Sequence, residues 1–210
     1  MSPSSFTHEG LSPPANFAVV GNSGFVYRSS FPKPENFPYL QKLKLKSIIT
    51  LVSETYPSEN NEFMRQNSIK HFQIGMPGNK APFVNVLDEK ISIALRIILD
   101  RRNHPILIHC NKGKHRTGCV VGCLRKIQAW SLSLILDEYR HFAGPKSRAL
   151  DQLRIELYRE EACMVSARLW GWVPPSVMPS VMPSSCSIQE CDEECTGTID
   201  ETVNPPAVTA

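Results

Sequence analysis

Apolar positions fall into two kinds of run along this chain. Short blocks rich in β-branched and aromatic residues occupy 17–20, 25–27, 47–52, 69–74 and 105–109. Between them lie longer segments whose apolar residues recur three and four apart. The first pattern predicts strands and the second helices. Residues 17–20 and 25–27 flank Gly21-Asn22-Ser23-Gly24, so they predict a hairpin with a Gly/Asn turn. The block 47–52 and P-I-L-I-H at 105–109 are apolar without polar alternation and predict buried strands. Helices are predicted at 35–45, through Phe37, Leu40, Leu43 and Leu45, and at 58–67, with Phe63 and Met64 facing inward. A third spans 86–101, where Leu87, Ile91, Ala94, Leu95 and Ile98 share a face, Asn85 stands as N-cap and Asp88 and Glu89 fill the first turn. Further helices are predicted at 119–129, 132–142 and 148–160. Residues 75–83, G-M-P-G-N-K-A-P-F, hold two glycines and two prolines and predict a loop.

Strands alternating with helices predict an α/β architecture, a central mostly parallel sheet flanked by helices. The pattern divides the chain into a flexible Ser/Pro-rich N-terminus at 1–15, one domain at 16–163 and a tail at 164–210. The tail carries V-P-P-S-V-M-P-S-V-M-P-S and an acidic end, a composition that cannot pack a core and is expected to be largely disordered. Trp170 and Trp172, at its start, are expected to anchor the end of the domain.

Composition narrows the function without choosing it. The 210 residues are 41% hydrophobic and 20% charged, as in a soluble globular protein with one core. A net charge of +3 is too small to argue for nucleic acid, so any preference for anions must come from local clustering. No apolar run approaches the roughly 18 residues of a membrane span, and residues 1–10 lack the pattern of a secretory leader. The seven cysteines are an odd number without disulfide-scaffold spacing. A reducing compartment, cytoplasm or nucleus, with free thiols is the expectation. Cys119 and Cys123 read as small core residues. Cys186, Cys191 and Cys195, spaced C-x4-C-x3-C with no His nearby, make a poor zinc pattern, so neither metal nor other cofactor is expected.

The chemistry concentrates in His109-Cys110-Asn111-Lys112-Gly113-Lys114-His115-Arg116-Thr117-Gly118, between a buried strand and a helix, at the carboxyl edge of the sheet where α/β folds bind ligands. A thiol there lies near the positive end of a helix dipole, which favours the nucleophilic thiolate. Gly113 permits a loop whose N–H groups converge on an anion. Arg116 can fork onto two phosphate oxygens as charge develops. Thr117 can donate its hydroxyl to the sulfur. Cys110 and Arg116 are the candidate catalytic pair. Asn111, Lys112, Gly113, Lys114, His115 and Thr117 are candidate substrate contacts, with Asn79 and Lys80 on the Gly/Pro loop. Lys146 and Arg148 form a candidate rim. So much positive charge suits a small, densely phosphorylated molecule better than a phosphoprotein carrying one phosphate.

His-Cys-(five residues)-Arg-Thr-Gly resembles the signature of the protein tyrosine phosphatase superfamily. C-N-K-G-K-H-R-T-G resembles its plant and fungal atypical dual-specificity phosphatases. N-F-A-V-V at 16, Y-R-S-S-F-P at 27, S-I-I-T-L at 47, G-N-K-A-P-F at 78, H-P-I-L-I-H-C at 104 and C-L-R-K-I-Q at 123 agree in order and spacing, so the resemblance covers about 16–160. It implies a cysteine-phosphatase fold and hydrolysis of inositol pyrophosphates through a phosphocysteine, with preference for the diphosphate at ring position 5. The alternatives are a protein tyrosine or dual-specificity phosphatase and an inactive phosphate-binding module. Enzymes resembling this one carry an acidic proton donor ahead of the cysteine, yet no Asp or Glu lies between Glu62 and Asp88. His115 and Asp88 are the candidate general acids. A diphosphate releases a phosphate, a better leaving group than an alkoxide, and needs less help from an acid.

Overall fold

The computed structural model describes residues 11–21, 24–79, 82 and 87–173, all in the first of two units, Met1–Met178; the second, Pro179–Ala210, lies outside them. The expected turn residues Asn22 and Ser23, Lys80, the proposed cap Asn85, most of the N-terminal segment and the tail with Cys186, Cys191 and Cys195 also lie outside the described residues.

Among the described residues five strands form one sheet: β1 (Ala18–Val19), β2 (Val26–Ser29), β3 (Ser47–Thr50), β4 (Lys70–Gln73) and β5 (Ile106–His109), in the order β1-β2-β5-β3-β4. Only β1 and β2 pair antiparallel; β2–β5, β5–β3 and β3–β4 are parallel. The central strand β5 is buried along its whole length, which explains its unbroken apolar run. Its side chains divide by the two-residue period of a strand. Ile106 and Ile108 join the larger core, whereas Leu107 joins Leu40, Leu45, Ile48, Phe63, Met64 and Ile69 on the other face. That smaller face is closed by α1 (Phe37–Lys42) and α2 (Ser58–Gln66). The larger face is covered by α3 (Asp88–Leu99), α4 (His115–Ile127), α5 (Leu132–Ala143), α6 (Ala149–Leu157) and α7 (Glu161–Leu169).

Three elements differ from the sequence reading. The helix expected at 119–129 begins four residues earlier, at His115, so the second half of the signature forms its first turn. The stretch 148–160 holds only α6, because Tyr158 is extended at φ −60° and ψ 132°. A further helix, α7, runs across the boundary drawn at 163; it buries Cys163 and Ala167, one turn apart, on α3. The packed chain continues through Trp172, whose Nε1 donates to the Leu99 carbonyl at 2.8 Å, to the buried Val173. Among the described residues no helix is long and apolar enough to cross a membrane.

The helix that carries the signature is clamped from behind. A Cβ on Gly118 would lie 2.7 Å from Tyr139 Cδ2, and one on Gly122 would lie 2.7 Å from Ile155 Cδ1. Both glycines let α4 approach α5 and α6 more closely than any side chain allows. Cys119 and Cys123 lie fully buried on this helix. Desolvation pushes both thiols well above their ordinary range, which keeps them protonated core residues.

Candidate active site

β5 ends at His109, and Cys110 is the next residue, 3% exposed at the carboxyl edge of the sheet. The chain then turns over Asn111–Lys114 and enters α4 at His115. Gly113 makes this turn possible in two ways. Its φ is +66°, and a Cβ there would lie 2.5 Å from the carbonyl carbon and oxygen of Ser29. The loop therefore rests directly on the backbone at the end of β2. Neighbouring contacts hold it there: Asn16 Nδ2 donates to the Lys112 carbonyl at 2.8 Å, Phe31 N to the Asn111 carbonyl at 3.2 Å and Arg28 Nη2 to the Gly113 carbonyl at 2.9 Å.

The first backbone bond inside α4 runs from Gly118 N to the Lys114 carbonyl. The N–H groups of the preceding turn have no acceptor within the helix and are available to an anion, at the positive end of the helix dipole. Arg116 stands in this turn, half-buried. Its Nη1 donates to the carbonyls of Leu51 and Met76, each at 3.1 Å. One edge of the fork is thus fixed by the chain at the ends of β3 and β4, and its rigid geometry turns the other edge toward the cleft.

The cleft has a volume of about 580 Å³. Cys110, Asn111, Lys112, His115 and Arg116 line it from the signature, Ser53, Glu54, Met76, Pro77 and Gly78 from the loops after β3 and β4, and Lys146 and Arg148 from the opposite rim. Among the described residues, four permanent cations, Lys112, Arg116, Lys146 and Arg148, line the cleft with one carboxylate, Glu54. This local excess, rather than the +3 of the whole chain, sets the preference for anions.

Several residues singled out in the sequence occupy other places. Lys114 turns away from the cleft, its Nζ donating to the Ala143 carbonyl at 3.2 Å. Lys112, two residues earlier, lies before the helix and lines the cleft. Asn79 is 1% exposed; its Nδ2 donates to Asp151 Oδ1 at 3.0 Å and its carbonyl accepts from Arg148 Nη1 at 3.1 Å. It positions a cleft arginine instead of lining the cleft. The Thr117 hydroxyl is buried and makes no hydrogen bond, so the expected bond to sulfur is absent here. Asp88 stands in the first turn of α3 and pairs with Arg154 Nη2 at 2.8 Å, outside the cleft. His115 lines the cleft, but its Nε2 donates to the Lys146 carbonyl at 2.7 Å, which leaves only Nδ1 for a substrate.

Glu54 and Ser53 were missed in the sequence. Their position just past a central parallel strand is the signal that could have found them. Behind the loop, His109 Nε2 lies 3.0 Å from Thr50 Oγ1 and 3.1 Å from the Tyr56 hydroxyl, and Thr50 Oγ1 is also 2.9 Å from His71 Nε2. Complete burial drives His109 down to about 3, so its ring is neutral at physiological pH and serves as a fixed strut.

A cysteine sulfur ahead of a helix, a braced guanidinium and a glycine turn between them define the site of the cysteine-phosphatase fold. The pattern of the tyrosine phosphatase family matches residues 11–174, and the chain belongs to that family. It is 54% identical over 163 residues to the inositol diphosphatase SIW14 of Saccharomyces cerevisiae, a match covering 77% of this chain and 57% of that protein. It is 56% identical over 146 residues to the inositol diphosphatase DSP4 of Arabidopsis thaliana, covering 70% and 73% of the two. The chain therefore spans little more than half the length of its yeast relative. The crystal structure of the core catalytic domain of the PP-IP phosphatase SIW14 from S. cerevisiae, in complex with citrate, matches with a TM-score of 0.72 at 50% identity, over 78% of this chain and 98% of that one.

Proposed function

We propose that this protein hydrolyses the terminal phosphate of inositol pyrophosphates, with preference for the diphosphate at ring position 5, through a phosphocysteine on Cys110. The observation that carries this reading is the cleft's four cations around one sulfur. One phosphoryl group occupies the loop, where Arg116 and the first N–H groups of α4 can hold its oxygens. Lys112, Lys146 and Arg148 remain at the rim for the other phosphates of a crowded ring. A phosphotyrosyl peptide would leave these charges without partners. The names of the yeast and plant relatives support the same substrate class.

In the first step the Cys110 sulfur attacks the terminal phosphorus in line. The bond from phosphorus to the bridging oxygen breaks, and that oxygen leaves on the ring phosphate with the electron pair. In the second step water attacks the phosphocysteine, the P–S bond breaks, inorganic phosphate leaves and the sulfur recovers its electron pair. The leaving phosphate is already a stable anion, so the first step proceeds without a strong acid. Glu54, the carboxylate on the cleft wall, is the group placed to take a proton from the attacking water in the second step.

The test compares phosphate release from 5-diphosphoinositol pentakisphosphate, its 1-diphospho isomer and a phosphotyrosyl peptide. The reading expects kcat/KM for the 5-isomer to exceed that for the peptide by about two orders of magnitude, equivalent to roughly 3 kcal/mol of transition-state stabilisation. Faster turnover of the peptide would overturn the substrate assignment.

A further inference from the structure

Beneath the phosphate loop lies a cation that the two-step scheme does not use. Arg28 sits in β2, opposite Ile108 of β5, and is 1% exposed. A guanidinium carries five N–H donors, and burial without partners is costly for any charged group. Yet Arg28 makes one side-chain hydrogen bond, from Nη2 to the Gly113 carbonyl at 2.9 Å, while Nε and Nη1 are buried without any. Its other contact is the Phe142 ring, with the guanidinium carbon 3.7 Å from the centroid. The acid nearest in charge, Glu138, is already engaged: its carboxylate takes Arg125 Nε at 2.7 Å and Arg125 Nη2 at 3.1 Å. Burial lowers Arg28 to about 10, which leaves it charged at neutral pH.

We propose that Arg28 is a positioning residue whose buried charge is balanced by the oxyanion in the loop, so that it strengthens anion binding at Cys110 from below, while in the empty fold the cost of burying that charge offsets its bond to the Gly113 carbonyl. Three features support this. The residue is tethered to the loop at its left-handed glycine. It lies on the side of the loop away from the cleft, with no access to solvent. Its remaining donors and charge have no protein acceptor, so a desolvated positive potential persists at the site until an anion arrives. Arg116 acts on the substrate oxygens from the cleft; Arg28 acts through the loop backbone and through its field, which a dry interior screens far less than water does.

The inference rests on the loop as an oxyanion site and is independent of which phosphorylated molecule is the substrate. The experiment uses tungstate, a tetrahedral dianion that undergoes no turnover, and three variants that separate charge from tether. Arg28→Lys keeps the charge and a donor, Arg28→Gln keeps a donor without the charge, and Arg28→Met keeps neither. Calorimetric titration should show tungstate binding weakened roughly 10- to 100-fold by Arg28→Gln and Arg28→Met alike, and by less than about 10-fold by Arg28→Lys. In anion-free buffer the melting temperatures of Arg28→Gln and Arg28→Met should equal or exceed that of the wild type, while the rise produced by tungstate should shrink in both.

Wild-type affinity in Arg28→Gln would overturn the proposal, with the oxyanion site itself left standing. So would variants that fail to fold or melt much lower without anion, since the proposal gives the charge no net part in holding the empty protein. Absence of tungstate binding to the wild type would overturn both the proposal and the site.

Discussion

Replacing Cys110 with serine is expected to reduce turnover by a factor on the order of 10⁴ or more while leaving the affinity for tungstate within about threefold of the wild type. The side chain is 3% exposed and the hydroxyl is slightly smaller than the thiol, so the loop and its bracing contacts should persist. The N–H groups of the first turn of α4 and the Arg116 fork still meet the anion. What disappears is a thiol sulfur, replaced by an alcohol oxygen that is a weaker nucleophile and a poorer leaving group in the second step. Phosphate release with each diphosphoinositol and titration with tungstate check the two halves separately. Residual activity within tenfold of the wild type would remove the sulfur from the mechanism. Inactivity of the wild type as well as the variant, with tungstate still bound, would leave a phosphate-binding module.

Arg116→Lys is expected to lower kcat by about 10³-fold, with a smaller effect on KM. The reason lies in the geometry of the fork. Nη1 is committed to the carbonyls of Leu51 and Met76, both at 3.1 Å, and the planar group presents its opposite edge to the cleft. A lysine ammonium is a compact point charge that cannot reach two carbonyls and also offer a parallel pair of donors. Charge is retained while orientation is lost, and orientation matters most when the phosphoryl oxygens spread into the equatorial plane. Steady-state kinetics on the preferred substrate decide this. A loss of less than tenfold in kcat would mean that net charge suffices and the fork has no special part.

The parts of the fold that the sequence revealed are those in which one local signal is strong. The run Ile106–His109 is buried on both faces and could be read as a central strand from its composition alone. The class of the fold and the place of Cys110 at the sheet's carboxyl edge followed from the alternation of strands and helices. The readings that changed involve conflict between local signals. His115 to Gly118 look like loop residues because they are mostly polar and end in glycine. The structure needs them helical so that a first turn of free N–H groups points at the anion. The turn ahead of the helix then separates Lys112, in the cleft, from Lys114, bonded to Ala143, a distinction that residue type alone does not make. The helix Glu161–Leu169 was hidden because it buries only a small pair, Cys163 and Ala167, and shows the solvent Val165 and Leu169. Asn79 appeared as a substrate contact for its polarity and its loop, but its amide and carbonyl are engaged by Asp151 and Arg148. Glu54 is hidden for a different reason: it lies more than fifty residues ahead of Cys110, and only the fold brings the loop after β3 to the cleft. Arg28 is a charge at a buried position of a strand, and only the pairing of β2 with β5 reveals that burial.

The measurement closest to the central claim is direct observation of the intermediate. The full chain is mixed with 5-diphosphoinositol pentakisphosphate, quenched in acid within milliseconds, and its peptides are mapped by mass. The account predicts a phosphoryl adduct on the peptide containing Cys110, formed faster than steady-state turnover and absent from Cys110→Ser. Turnover without any adduct on that sulfur, or with the phosphoryl group on His115, would contradict it.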